Sequence, residues 1–487
     1  MIRVIDEVAS GLVGLLIVMG VLLFIPILPA LLYFEYYTIL AFAVPGLVML
    51  FLGMFLNKKF PLKERYSMEA TVVIAPVGWL LVSAIGSIPF IFTIGMWPLD
   101  ALFETMSGFT TTGMTLINNL EAIPRSILFW RSLTQWVGGV GIILLFTIIL
   151  RGSMATWRLY SLEGREEKFT PSIKSTIRDM WLIYFLLTAI CAVSLYLCGL
   201  SPFDSINHAM TTLSTGGFST RTDSIMAFGN SWVKGVLCIF MTLGATSFTL
   251  FYNLLRLDFR KIVNDAEFRT LIAIILFSAL LAVPALFFAG TNIGSSILDG
   301  LFNVISIVTT TGYSTMNLNL WPTVTKVLLL ILMIIGGSAG STGGGMKVWR
   351  ATVLYRIAKR EVEKMTLPSS AVRPIKIGGK VLDEEYVMKV GSFFFIYIFA
   401  ALIQFLLLTI FIPDPFGALS LVLSAQGNVG PAFYPLNDLN NFVKIILVFG
   451  MWFGRLELFP VLALLSKGIP KTVKELYESR KKSSDVS

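Results

Sequence analysis

Charge is what this chain has least of. Only 14% of its 487 residues are Asp, Glu, Lys or Arg, against 55% hydrophobic residues. Soluble globules carry about 25% charge, so an ordinary soluble domain is excluded. Cysteine and histidine are nearly missing too. Cys191, Cys198 and Cys238 all stand in apolar runs, which points to buried packing and not to a disulfide framework. His208 is the single histidine, and with no other ligand at metal-binding spacing it excludes a histidine-based metal site. Side chains able to act as nucleophile, acid or base are almost limited, within the apolar segments, to Glu104, His208, Arg455 and Glu457, too few for an enzyme built in the bilayer. No G-x-G-x-x-G follows a strand, so no nucleotide is expected on this chain.

What the chain has instead is long apolar runs. Residues 11–33 contain no charge over a length greater than a signal-peptide core, and they are expected to be a retained first span that forms a hairpin with 38–56. Further spans are expected at 70–94 and 132–150, 180–200 and 235–254, 271–288 and from 327, and 390–412 and 445–465. Between them Lys and Arg gather in alternate loops, at 58–65, 151–178, 256–269, 347–389 and 467–482. The intervening loops hold only Arg125, Arg131, Arg221, Lys234, Lys326 and Lys444. This asymmetry places both termini and the basic loops on the cytoplasmic side. The net charge of +9 therefore belongs to one face of a membrane protein, with lipid as its surroundings and no nucleic acid as a partner.

One short motif recurs between the paired spans. Thr110-Thr111-Thr112-Gly113 returns as Thr309-Thr310-Thr311-Gly312, with Ser214-Thr215-Gly216-Gly217 as a variant and Ser424 to Gly430 as a weaker fourth copy. An aspartate (Asp100, Asp204, Asp299) stands thirteen residues before the glycine in the first three copies, and Gly417 takes that place in the fourth. These aspartates are expected to cap helices at the membrane surface, and His208 to be a packing residue. Each segment is apolar enough to enter the bilayer, yet at ~1.5 Å per residue it is too short to cross a ~30 Å core. It must go in and come back.

The expected fold is an all-α polytopic membrane protein of four membrane–pore-loop–membrane repeats around a pseudo-fourfold pore, with an N-terminal two-helix hairpin. Residues 1–66 are the hairpin, 67–178 repeat one with pore loop 100–116, and 179–269 repeat two with pore loop 204–220. Residues 270–386 are repeat three with pore loop 299–315 and the glycine-rich loop 336–345, and 387–487 are repeat four with pore loop 416–433 and a basic cytoplasmic tail. Non-helical backbone survives at membrane depth only where protein covers it or it lines water, so four such segments imply a shared aqueous axis. Their carbonyl oxygens, lacking formal charge, suit a dehydrated monovalent cation. A carrier built on inverted repeats is the rival reading, but all four copies share one in-and-back layout.

The segments SGFTTTGM, LSTGGFST, VTTTGYST and AQGNVGPAF, with GGSAGSTGGGMK and GRLELFP, resemble in order those of the TrkH/TrkG/KtrB superfamily of potassium uptake proteins, and the hairpin favours its TrkH branch. The resemblance implies a K+ selectivity filter made by Thr111, Thr112, Gly113, Thr215, Gly216, Gly217, Thr310, Thr311, Gly312, Asn428, Val429 and Gly430. It also implies that K+, and Rb+, pass better than Na+, although no copy reads TVGYG and fewer stacked sites are expected than in a potassium channel. A homodimer in a prokaryotic inner membrane and a cytosolic TrkA-type nucleotide-binding subunit complete what it implies.

Six glycines between Gly336 and Gly345 must break the second span of repeat three, since each costs up to ~1 kcal/mol in a helix relative to Ala. The break is either a hinge packed on a neighbour or, as the resemblance implies, a gate formed by Gly336, Gly337, Gly340, Ser341, Thr342, Gly343, Gly344 and Gly345. Arg455 lies mid-span, where a charge costs at least ~2.5 kcal/mol. Glu104, loop carbonyls or the pore are its candidate partners. It is either a structural pairing or, as the resemblance implies, part of the gate as an electrostatic barrier.

Overall fold

The computed structural model describes residues 2–63, 66–141, 173–255, 258–366, 373–378, 380–437 and 439–465. The remainder of the expected second span of repeat one, most of the basic loop 151–178, and the basic tail lie outside the described residues. Among the described residues, six helices are long and apolar enough to cross a membrane. Two of them form the N-terminal hairpin, Ile2–Leu22 packed along Tyr36–Lys59. The turn between them supplies Glu35, whose carboxylate accepts from the Arg125 and Ser126 amides at 2.6 and 2.9 Å. Those amides open a helix whose own N-cap, Pro124, offers no side-chain acceptor. The hairpin thereby satisfies donors that would otherwise be orphaned.

Four repeats follow. Each begins with a long helix (Met68–Gly86, Ile173–Leu197, Ala266–Phe288, Glu384–Thr409), then a short one (Pro98–Phe109, Pro202–Leu213, Ile293–Val308, Pro415–Gly427), and then a second helix (Arg125–Val140, Ser231–Gly244, Thr323–Ile335, Asn441–Arg455). The short helices hold 12 to 16 residues and reach roughly 18–24 Å. Their burial inverts the soluble pattern. The long helices present Phe277, Leu280 and Phe288 outward, while the threonines after the short helices are completely buried. Apolar groups outside and hydroxyls inside are what a protein surrounded by hydrocarbon and organised around a polar axis requires.

Two expectations are corrected. The second helices of repeats two and four are not continuous spans. At 14 and 15 residues they stop short of a bilayer crossing, and the chain turns before resuming as Phe248–Leu255 and Phe459–Ala463. In repeat three the chain breaks at the glycine run, as expected, and resumes as Val348–Lys364. Hydropathy is blind to such breaks because the residues at them (Ala245, Thr246, Leu456) are themselves apolar or small. Nor do the aspartates cap the short helices. These begin earlier, with Trp97, Ser201 and Asn292 at the cap, so Asp100, Asp204 and Asp299 fall inside them. Asp100 instead pairs with Lys444 and Asp299 with Lys234, both at 2.6 Å, tying each short helix to the second helix of the preceding repeat. Asp204 accepts from Ser201, Thr220 and Arg221.

Candidate functional site

The C-terminal ends of the four short helices lead into four turns of one shape. Thr111, Thr215, Thr310 and Asn428 have φ between +50° and +58°, and two residues later Gly113, Gly217, Gly312 and Gly430 have φ between +78° and +109°. The residue between each pair keeps a negative φ. The amides are used up on the helix side. Thr112 and Gly113 both donate to Ser107 O, Gly216 and Gly217 to Thr211 O, and Thr311 and Gly312 to Ser306 O. In the fourth turn Val429 donates to Ser424 O and Gly430 to Ser424 Oγ. With the N–H groups turned back, the other side of each turn is left to carbonyl oxygens.

Left-handed geometry at a β-branched residue costs on the order of 1–3 kcal/mol and persists only where its surroundings hold it. Here it does so three times in register. The sequence reading credited the glycines with the unusual backbone and missed these threonines, because nothing in a threonine signals positive φ.

The four turns close a ring. A Cβ added to Gly113 would collide with Gly216 O, one on Gly217 with Thr311 O, one on Gly312 with Val429 O, and one on Gly430 with Thr112 O. Each glycine therefore lies against the carbonyl of the residue that precedes the equivalent glycine in the next repeat, around the full cycle. All four line a single open cavity of about 280 Å³.

Beneath the ring lies the glycine-rich loop, which the structure brings onto the turns of repeats two, three and four. Gly344 N donates to Thr310 Oγ1 at 2.8 Å, Thr342 Oγ1 lies 3.3 Å from Thr215 Oγ1, and Gly344 has no room for a Cβ beside Asn428. Arg455 completes the set, donating to Thr111 Oγ1 at 3.2 Å and to Thr342 O at 3.0 Å, with its other amino group on Gly138 O and Gly139 O. The loop is also stitched to the break in repeat two: Ser338 N donates to Ala245 O, Thr342 N to Gly244 O, and Phe248 N to Gly340 O. Gly336, Gly340 and Gly345 take positive φ at its corners, and Gly337 N donates to Gly344 O across its base. Ser341, Gly343, Gly344, Gly345 and Arg455 line a small inner cavity with Lys347 and Glu457. Glu104, weighed from sequence as a partner for Arg455, pairs with Arg131 instead.

Several contributors escaped the sequence reading. Glu267 accepts from Ala339 N and Trp349 N, clasping the loop to the helix that follows it. Lys347 donates to Gly343 O. Gln135 spans the turn of repeat two, donating to Gly216 O at 2.6 Å and accepting from Phe218 N at 3.0 Å. Its signal was a lone amide in a helix that also carries Arg131, Ser132 and Thr134, a weak one until its partners are known. His208 is completely buried between Asp204 O and Ser219 Oγ, the satisfied residue expected of it.

Fold and site together define a membrane-spanning, single-chain pore with pseudo-fourfold symmetry. A family model described as TrkH, cation transport protein, matches residues 47–476. The Trk system potassium uptake protein TrkH of Escherichia coli strain K12 is 35% identical over 427 residues, covering 84% of this chain and 87% of that protein. The protein of that name from Vibrio parahaemolyticus is 35% identical over 476 residues, covering 93% and 97%. The crystal structure of the potassium transporter TrkH from Vibrio parahaemolyticus superposes with a TM-score of 0.86 at 33% identity, covering 95% of this chain and 99% of that one. This chain belongs to the TrkH family of cation transport proteins, a family of transporters and not of enzymes.

Proposed function

We propose that this chain is the potassium-translocating subunit of a Trk-type uptake system. The observation that carries the reading is the closed cycle in which each ring glycine meets the next turn's carbonyl. A ring so tight can hold its oxygens at a fixed radius, which favours an ion able to trade its hydration shell for carbonyl dipoles. Thr111, Thr112, Gly113, Thr215, Gly216, Gly217, Thr310, Thr311, Gly312, Asn428, Val429 and Gly430 form the filter, passing dehydrated K+ and Rb+ and, less well, Na+. The repeats run 67–178, 179–269, 270–386 and 387–487 after the hairpin at 1–66. Uptake of Rb+ by liposomes containing only this chain, driven by an inside-negative potential, tests the reading. Accumulation well above empty liposomes and poorly competed by Na+ is expected; no uptake, or equal competition by both ions, would sink it.

The loop Gly336 to Gly345 and Arg455 are the gate. Its docking on three turns, and on the fourth through Arg455, supports this. Loss of the clasp should loosen it. Glu267→Ala leaves the Ala339 and Trp349 amides without their charged acceptor, and hydrogen bonds to a charged group are worth ~1.5–3 kcal/mol. Basal Rb+ flux is expected to rise several-fold in Glu267→Ala and by less in Glu267→Gln, which loses the charge but keeps an acceptor, as read by initial uptake rates. The system is completed by a second copy of the chain and by a TrkA-type nucleotide-binding subunit on the cytoplasmic face, in a prokaryotic inner membrane with both chain termini inside.

A further inference from the structure

Counting back from the ring glycines aligns side chains that looked unrelated in the sequence. Nine residues before Gly113, Gly217 and Gly312 stand Glu104, His208 and Asn303, all completely buried. Each reaches across to the chain as it leaves the ring. Glu104 accepts from Thr115 Oγ1 at 2.9 Å and Leu116 N at 3.1 Å. His208 Nε2 lies 3.0 Å from Ser219 Oγ, and Asn303 Nδ2 donates to Thr315 Oγ1 at 3.0 Å. The partners stand two or three residues past the glycine in every case. The equivalent position in repeat four is the apolar Leu421, but its neighbour Ser420 does the same work, its Oγ accepting from Phe433 N at 2.8 Å, three residues past Gly430.

A carboxylate, an imidazole, an amide and a hydroxyl thus make one type of tie. Three of them are braced from behind as well, with His208 Nδ1 at 2.8 Å from Asp204 O, Asn303 Nδ2 donating at 2.7 Å to Asp299 O and Ser420 Oγ donating at 2.7 Å to Gly417 O. The tie in repeat one is the charged one, and a buried carboxylate needs a counter-charge. Arg131, also buried, provides it at 2.8 Å. Its other arm donates to Ser219 O at 3.0 Å, and its guanidinium stacks 4.0 Å above Phe218. The pair therefore joins the outgoing chain of repeat one to that of repeat two, beside the cavity that the ring glycines line.

We propose that Glu104, His208, Asn303 and Ser420 are positioning residues that staple the outgoing chain to each short helix and so set the aperture of the ring, and with it the preference among alkali cations. This rests on the filter reading above. A buried polar tie resists displacement because breaking it leaves its donor and acceptor unpaired in low dielectric. Without it the carbonyl ring loses its fixed radius and can adapt to the smaller, more strongly hydrated ion.

The test compares initial Rb+ and Na+ uptake by the full chain in liposomes. Asn303→Leu and His208→Leu are each expected to lower the Rb+ to Na+ ratio about fivefold, the factor for one buried hydrogen bond. His208→Gln, which keeps a polar group at the reach of Nε2, is expected to stay within about twofold of the original ratio. Ser219→Ala and Thr315→Val cut the same ties from the outgoing chain, and they carry the test if the Leu variants fail to fold. A general packing defect would lower both fluxes together and leave the ratio alone. Unchanged ratios in the Leu, Ala and Val variants, or an equal loss in His208→Gln and His208→Leu, would overturn the staples. A wild-type protein that shows no preference for Rb+ would instead bring down the filter reading beneath them.

Discussion

Gly312→Ser is expected to remove most of the preference for Rb+ over Na+. A side chain there is excluded twice. The backbone sits at φ +83°, where any L-residue costs roughly 1–2 kcal/mol, and the new Cβ would occupy the place of Val429 O and press on Pro431. The turn of repeat four must move, and with it one carbonyl of the ring. A change of about 1.4 kcal/mol in the relative cost of the two ions is tenfold in their ratio, and a loss of that order is the expected result in liposome uptake. Gly235→Ser is the control, since no atom lies within 4 Å of its added Cβ; it should leave the ratio unchanged. Wild-type discrimination in Gly312→Ser would mean that the ring does not select the ion.

The second large effect is on rate. Arg455→Ala should raise basal flux on the order of a hundredfold, because a cation passing several ångströms from a fixed guanidinium at an effective dielectric near 20 meets a few kcal/mol of repulsion. The substitution also frees Thr342 O and Thr111 Oγ1, the contacts through which the loop reaches repeat one. Arg455→Lys separates the two causes: it keeps the charge but cannot span Gly138 O, Gly139 O, Thr342 O and Thr111 Oγ1 at once. Flux that rises in Ala and not in Lys marks an electrostatic barrier, and an equal rise in both marks loosened docking. Deleting Gly340 to Gly343 should open the path whichever cause dominates, and a deletion as closed as wild type would show that the loop is not the gate.

The limits of legibility follow from the same chemistry. Period, offset and hydropathy identify the four segments because the in-and-back geometry leaves a composition that a straight span does not: a short apolar run, hydroxyls and a glycine. Ion pairs between repeats leave no such trace. Lys444 and Asp100, or Lys234 and Asp299, are distant in sequence and look like interfacial charges until the helices are placed. Glu267 sits in the first turn of its helix and reads from sequence as favourable to the helix dipole, although it also clasps a loop some seventy residues on.

The sequence by itself determined the membrane class, the four repeats and the identity of the turns, since hydrophobic length and self-similarity are one-dimensional quantities. Only the tertiary structure decided which carbonyl faces which glycine, that threonines carry the left-handed geometry, and that Glu104, His208 and Asn303 share one task. Those are relations between chain segments brought together by packing, and a hydrogen bond depends on distances that residue order does not encode.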